Sequence, residues 1–253
     1  MCVMEHGGEA LINGVRFHSD TVVVKATKEK NKIVVVDDVD HEEYDYVDRD
    51  RFDLDVVLSR IPFVRGWWNY LEGIVKWKII VIAISIIIIA LEFIDNLWIQ
   101  RIEVWAYVFF TILIVGAVLL FRFTAIAKYH AAEHMVSNCA IQGLDLTFEN
   151  VRKQSRIHTD CGTNLFTFAL ISFLVLSLIP GVQEFHFFLK LCLSWSIGYE
   201  LFLMKHTYIK PIYLIGYGMQ YAIFTSKPNK EHLKVAILAF KRLQKRQGEI
   251  DNR

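Results

Sequence analysis

The chain has 253 residues, 54% of them hydrophobic, and a formal net charge of +1. A near-neutral balance gives no basic face for nucleic acid, and none is expected as a partner. Apolar residues that collect in blocks, rather than spreading evenly, point to a membrane protein. The four cysteines, Cys2, Cys139, Cys161 and Cys192, show no C-x-x-C pair and no small-domain disulfide spacing, so reduced thiols are expected.

Residues 1–36 read as a small β-rich cytoplasmic segment. Gly7-Gly8 and Gly14 punctuate a short strand at Ala10 to Ile12. Thr21 to Lys25 and Lys32 to Val36 are β-branched runs flanking the polar loop Thr27 to Asn31, a hairpin signal. Met1 to Asp20 has no apolar core, so no signal peptide is expected and the first span is expected to direct its own insertion. Residues 37–60 form an acidic linker. Their carboxylates lack the loop pattern of a calcium site, so a solvated segment is expected rather than a cation site.

Residues 61–78 carry tryptophan and lysine in the pattern that anchors a chain at headgroup level, and an interfacial amphipathic helix is expected there. A four-span membrane domain follows over residues 79–204. Its apolar runs are Ile79 to Phe93, Val104 to Phe121, Asn164 to Ile179 and Phe187 to Leu203. With their flanks, each approaches the roughly 20 residues that cross a bilayer. The last is the weakest, since it contains Lys190 and Glu200. Pro180-Gly181 ends the third with a tight turn. Lys and Arg concentrate before the first span, between the second and third, and after the fourth. The positive-inside rule therefore puts both termini and a central loop, residues 123–163, in the cytoplasm, and the protein in the plasma membrane. The tail, residues 205–253, holds an amphipathic helix at Asn229 to Arg246. Leu233, Ala236, Ile237, Phe240 and Leu243 line one face of it, with Pro228 near its start. It is expected to cover its own domain, with anionic lipid as the other option. The fold class expected is thus a predominantly α-helical integral membrane protein with four transmembrane helices.

The chemistry-bearing cluster is Tyr129-His-Ala-Ala-Glu-His134. Positions i, i+3 and i+4 share a helical face, so His130, Glu133 and His134 project together at the membrane surface. Two histidines four apart on a helix can hold one zinc ion, and a glutamate between them can serve as general base or as a ligand. The order H-x-x-E-H inverts a common zinc-protease motif. The bland alternative is a polar helix end with unrelated histidines. Further ligands are sought at His158 and Cys161, three apart before the third span, with Asp160 available to orient an imidazole. Glu200 is the other candidate, an ionisable group inside a span. Arg122 and Lys128 flank the cluster and suit an anionic headgroup, although positive-inside topology explains them equally. Gly7-Gly8-Glu9-Ala10 suits a backbone turn approaching the site.

Lys128-Tyr-His-Ala-Ala-Glu-His134, Glu149-Asn-Val-Arg-Lys153 and His158-Thr-Asp-Cys-Gly-Thr163 resemble the central block of the YqhQ-like family of predicted metal-dependent multi-pass membrane proteins. In that block Ala131 stands for the usual glycine, Met135 for the usual lysine and Thr159-Asp160 for the usual Pro-Arg. Gly7 to Ala10, Asn13 to Val15, Ile61 to Gly66, Tyr199-Glu200 and Tyr217 to Gln220 resemble further family segments; Arg16 to Asp20 departs from it. The resemblance implies metal binding by His130, His134, His158, Cys161 and Glu200, with Glu133 catalytic, and supplies no substrate.

The expectation is a zinc-dependent hydrolase, or one using another divalent transition metal. It would act at the cytoplasmic membrane interface on a peptide or lipid-linked substrate, with membrane lipid or a membrane protein as partner. The alternatives are a non-catalytic scaffold with a closed structural zinc site, and an ion-coupled transporter. Four spans without a visible repeat disfavour the transporter for a monomer. Oligomerisation is left open.

Overall fold

The computed structural model describes residues 6–30, 32–38, 58–70, 87, 97–182, 184–204 and 207–251. Among these residues the protein is mostly helical, with one small antiparallel sheet near the N-terminus. The strands are β1 (Gly7–Leu11), β2 (Gly14–His18), β3 (Val23–Glu29) and β4 (Lys32–Asp38). The helices are α1 (Arg65–Tyr70), α2 (Leu97–Phe123), α3 (Ile126–Ile141), α4 (Phe148–Arg152), α5 (Gly162–Leu176), α6 (Phe187–Leu203), α7 (Lys210–Met219) and α8 (Lys230–Asp251). A π-helical turn, Gln220–Phe224, follows α7. The chain divides into two compact units: Met1–Val47, Gly116–His158 and Tyr217–Arg253 form one, and Asp48–Val115 with Thr159–Gly216 the other.

In the first unit the strands run in the order β1-β2-β3-β4, each antiparallel to the next. The expected hairpin is the β3–β4 pair, but its strands are longer than the sequence suggested. Glu29 pairs with Lys32, and Lys30 beside that pair has φ 52°. β2 is a strand beyond those expected, and β1 begins three residues before the strand expected at Ala10 to Ile12. Alternation sets the buried face: Val15 and Phe17 of β2 pair with Ala26 and Val24 of β3, and all four are buried. Gly14 is required where β2 crosses β3, because a Cβ there would sit 2.0 Å from the Ala26 carbonyl oxygen.

Helices α3 and α8 cover this face. Leu233, Ala236, Ile237, Phe240 and Leu243, the apolar stripe of the tail, are buried, and Phe240 meets Phe17 edge to face with ring centroids 5.0 Å apart. Burying one such ring contributes about 2 kcal/mol. Tyr129, Ala132, Met135, Val136 and Cys139 of α3 complete the core.

In the second unit α5 and α6 pack closely: a Cβ on Gly198 would lie 2.5 Å from the Ala169 backbone nitrogen. Tyr107, Phe110, Phe173 and Phe187 form an aromatic cluster, and Trp67 packs against Trp195. Among the described residues one helical stretch, Val104–Phe123, is long and apolar enough to cross a membrane, and only Ala106 of it is buried. α5 is apolar but has 15 residues, or about 22 Å at 1.5 Å per residue, which is short of a hydrocarbon core about 30 Å thick. α6 has 17 residues, including the buried Lys190. The expected first span, Ile79 to Phe93, lies outside the described residues but for Ile87, and most of the acidic linker lies outside them also.

β4 continues two residues past its expected end at Val36, because Asp37 is anchored. Its carboxylate accepts hydrogen bonds from Arg242 Nε and Nη2 at 2.8 and 2.6 Å, and Arg246 Nε lies 3.0 Å away. The Arg242 guanidinium holds the Asp37 carboxyl below its usual range. A group shifted this way stabilises the fold above its unfolded pKa, near 4, and loses that contribution as pH falls through the folded value. Asp37→Asn should therefore cost about 1 kcal/mol at pH 7 and less as pH falls toward 2. Unfolding titrations of both proteins at the two pH values check this; an equal cost at both would show that the pair is not the cause.

Candidate metal centre

The site starts with one helix. α3 begins after a break at Thr124-Ala125 and is not a continuation of α2. It is buried on nearly every side: among the residues from Ala127 to Val136, only Lys128 is exposed. The spacing therefore delivers what it promised, with His130, Glu133 and His134 on one face, but that face lies inside the unit. Their exposures are 8%, 6% and 2%. The two imidazole rings have centroids 4.3 Å apart, and one nitrogen of each lies within 4.8 Å of the other.

Buried imidazoles need partners, and both rings find them in backbone carbonyls. His130 Nδ1–H donates to the Phe224 carbonyl at 2.9 Å, and His134 Nδ1–H to the Arg156 carbonyl at 2.8 Å. Each bond fixes the tautomer and leaves Nε2 with a lone pair, the arrangement that prepares histidine for a metal. Burial pushes both imidazoles down to about 4. For His130 the neighbouring His134 adds to the effect; for His134 the Arg156 carbonyl opposes it. At neutral pH both are uncharged.

Glu133 stands between them. Its Oε1 accepts from Ser137 Oγ at 3.2 Å, and its Oε2 is 3.5 Å from His134 Nε2. Burial pushes the Glu133 carboxyl up, against the pull of His130, His158, Ser137 and His6. An ionised carboxylate oxygen and an unprotonated Nε2 are both acceptors. Facing each other at this separation, they need a shared proton or a cation between them. The donor set therefore fits a divalent transition metal.

Three features hold these groups in place, and two of them carry no motif. The Phe224 carbonyl belongs to the π-helical turn, a distortion frequent at functional sites. The turn is tied back to α3 by Ser226 N–H donating to the Ala127 carbonyl. The loop carrying Arg156 and His158 is clamped twice. Asn138 Nδ2 donates to the Ser155 and Ile157 carbonyls, and the fully buried Gln220 binds both the N–H and the carbonyl of His158 at 3.0 Å. This brings the His158 ring to 5.6 Å from that of His134, centroid to centroid. The third feature is strand β1, where Gly7-Gly8 had suggested a turn. A Cβ on Gly8 would lie 2.5 Å from Glu133 Oε1, so only glycine lets the strand form the wall beside the carboxylate.

The other candidates have partners of their own. Arg122 donates to Ser226 Oγ. Cys161 is buried at the start of α5, with Sγ 3.0 Å from Thr163 Oγ1. Glu200 is bound by Arg65: the guanidinium donates to both carboxylate oxygens, and the Phe63 N–H adds a third bond. The orienting role expected of Asp160 is filled for His130 and His134 by carbonyls, which no side-chain motif reveals.

The family described as "Protein of unknown function (DUF1385)" matches residues 78–246, a stretch that includes the α3 cluster and excludes the sheet. The chain is similar to "Uncharacterized protein YqhQ" of Bacillus subtilis (strain 168), at 32% identity over 145 residues covering 52% of this chain and 46% of that protein. It thus spans about half the length of the curated relative it matches. No solved structure matches the chain.

The Gly8 contact makes a direct prediction. Gly8→Ala should destabilise the protein by about 1–3 kcal/mol through overpacking. In a Glu133→Ala background the same substitution should cost much less, because the group it meets is gone. A double-mutant cycle measures the coupling, and strict additivity would count against β1 as the wall of the site.

Proposed function

We propose that this chain, which belongs to the DUF1385 family, is a membrane-anchored metal-dependent hydrolase working at the cytoplasmic face on a peptide or lipid-linked substrate. One observation carries the reading. Two buried imidazoles one helical turn apart are each fixed by a carbonyl at Nδ1, and a buried carboxylate stands beside them. Surface histidines at a polar helix end would have no reason to be dehydrated, tautomerically fixed and paired.

The proposed ligands are His130 and His134 of the first unit, with Cys161 carried over from the sequence motif: two imidazoles and a thiolate, a donor set suited to zinc. Cys161 follows His158 by three residues, so the chain can separate their Cα atoms by at most about 11 Å. Three protein ligands leave one position for water or substrate, which is the catalytic pattern. Such an ion supplies Lewis acidity and makes water nucleophilic near neutral pH. The chain's own residues do the rest. Glu133 receives a proton at Oε2 from attacking water and delivers it to the leaving group, with Ser137 holding its other oxygen. The wall at Gly8 keeps bulk water away from that carboxylate. Glu200 is not part of the proposed set, since Arg65 already engages both its oxygens.

Membrane attachment rests on Val104–Phe123, an apolar stretch of 20 residues of which only Ala106 is buried. The finer topology we propose has four spans with both termini in the cytoplasm. It draws on the positive-inside distribution of Lys and Arg.

A second reading is favoured by the closeness of His158 to His134. If His158 also binds, the sphere is closed and the site is a structural staple. Metal per chain in detergent-purified protein separates the two. Wild type should hold about one equivalent, His134→Ala and Cys161→Ala should lose it, and Glu133→Gln should keep it. His158→Ala should also keep it if the site is open. Loss in that variant, with a large drop in stability, would favour the staple. Wild type free of metal after reconstitution with zinc would refute both.

A further inference from the structure

We propose that a cleft between the β3–β4 hairpin and the first turns of α8 binds a phosphate-bearing anion with an apolar arm. The cavity has a volume of about 390 Å³, within the range of small-molecule sites, roughly 300–1,000 Å³. It lies on elements that contribute none of the proposed metal ligands. The inference is therefore independent of the metal reading.

The walls carry the charge. Lys28, Lys32 and Lys234 line the cavity with one carboxylate, Glu231. Glu231 is engaged by Lys28 in a salt bridge that joins β3 to α8. That pair fixes the mouth of the cleft and cancels its own charge. Lys32 and Lys234 have no hydrogen-bond or ion-pair partner among the described residues, and both are exposed. Two ammonium groups facing one cavity, neither with a counter-charge among the described residues, leave its described lining net positive. Lysine is a point-charge binder of phosphate that needs no fixed fork geometry.

The floor sets the second half of the specificity. Ile33 and Leu238 also line the cavity, with the fully buried Val235 behind them, and Leu238 is 37% exposed. An inorganic anion would leave this apolar surface wet. A phosphate ester with a hydrocarbon arm would cover it while its headgroup meets the two lysines, gaining from burial and charge together. The ligand chemistry has two sources, a membrane phospholipid headgroup and a soluble phosphate ester.

The experiment uses the full chain in a neutral detergent and titrates three probes by calorimetry. These are monomeric dihexanoyl-phosphatidylglycerol, dihexanoyl-phosphatidylcholine and glycerol 3-phosphate. The expected result is binding of the phosphatidylglycerol at least tenfold tighter than the phosphatidylcholine, weakened tenfold or more in the Lys32→Glu/Lys234→Glu double variant. Lys32→Ser/Lys234→Ser should weaken it in the same direction, and Lys234→Arg should preserve it. Thermal midpoints that match wild type show that the variants fold. If glycerol 3-phosphate binds as tightly as the lipid and the double variant loses it, the lysine pair binds phosphate from solution and the apolar arm of the proposal is overturned. Binding of neither anion, equal binding of the zwitterionic lipid, or binding indifferent to the lysine substitutions would overturn the proposal.

Discussion

The dehydration of α3 is the constraint on which the rest of the first unit depends. A helix carrying two histidines, a glutamate and a serine is enclosed almost from end to end. A buried polar group left without a partner costs about 1–3 kcal/mol, and four of them would consume a large part of a typical domain's stability. The surrounding chain is arranged to prevent that. The π-helical turn presents the Phe224 carbonyl, the loop after α4 presents the Arg156 carbonyl, and Ser137 serves Glu133 from the next turn of its own helix. Asn138 and Gln220 then hold the loop itself. The site is thus built outward in layers, each satisfying the one inside it.

The sheet follows from the same requirement. Its core face packs on α3 and α8 through Val15, Phe17, Val24 and Ala26, an ordinary hydrophobic contact. Its first strand does something more specific, running Gly8 against the Glu133 carboxylate. A side chain at that position would push either the strand or the glutamate away. The ion pairs of Asp37 with Arg242 and Arg246, and of Lys28 with Glu231, tie β4 and β3 to α8. The N-terminal segment is therefore a structural wall of the unit that holds the candidate centre, not an independent module.

The second unit follows a different physics. Close approach of α5 and α6 at Gly198, aromatic clustering around Phe187, and the Arg65–Glu200 pair give it cohesion. An acid inside an apolar helix invites a functional explanation, and on sequence Glu200 was a candidate ligand. The structure gives that carboxylate an arginine from α1, through the Ile61-Pro-Phe-Val-Arg-Gly66 segment that sequence had assigned to a membrane-surface helix. A charge in such a setting needs a counter-charge first.

The sequence by itself determined that His130, Glu133 and His134 share a face, because helical periodicity is local. It likewise determined that α8 has an apolar stripe, that β3 and β4 form a hairpin, and that Val104 to Phe121 is apolar enough for a bilayer. The exact strand ends, the presence of β2 and the break between α2 and α3 were less legible. There, long-range pairing, such as that of Asp37 with Arg242, outweighs local propensity. Only the tertiary structure decided that the histidine face is buried, that both Nδ1 atoms donate to carbonyls, that Gly8 must be glycine, and that Glu200 answers to Arg65. Every residue carries a carbonyl, so none marks in its letter which one a buried imidazole will find. That choice belongs to the fold.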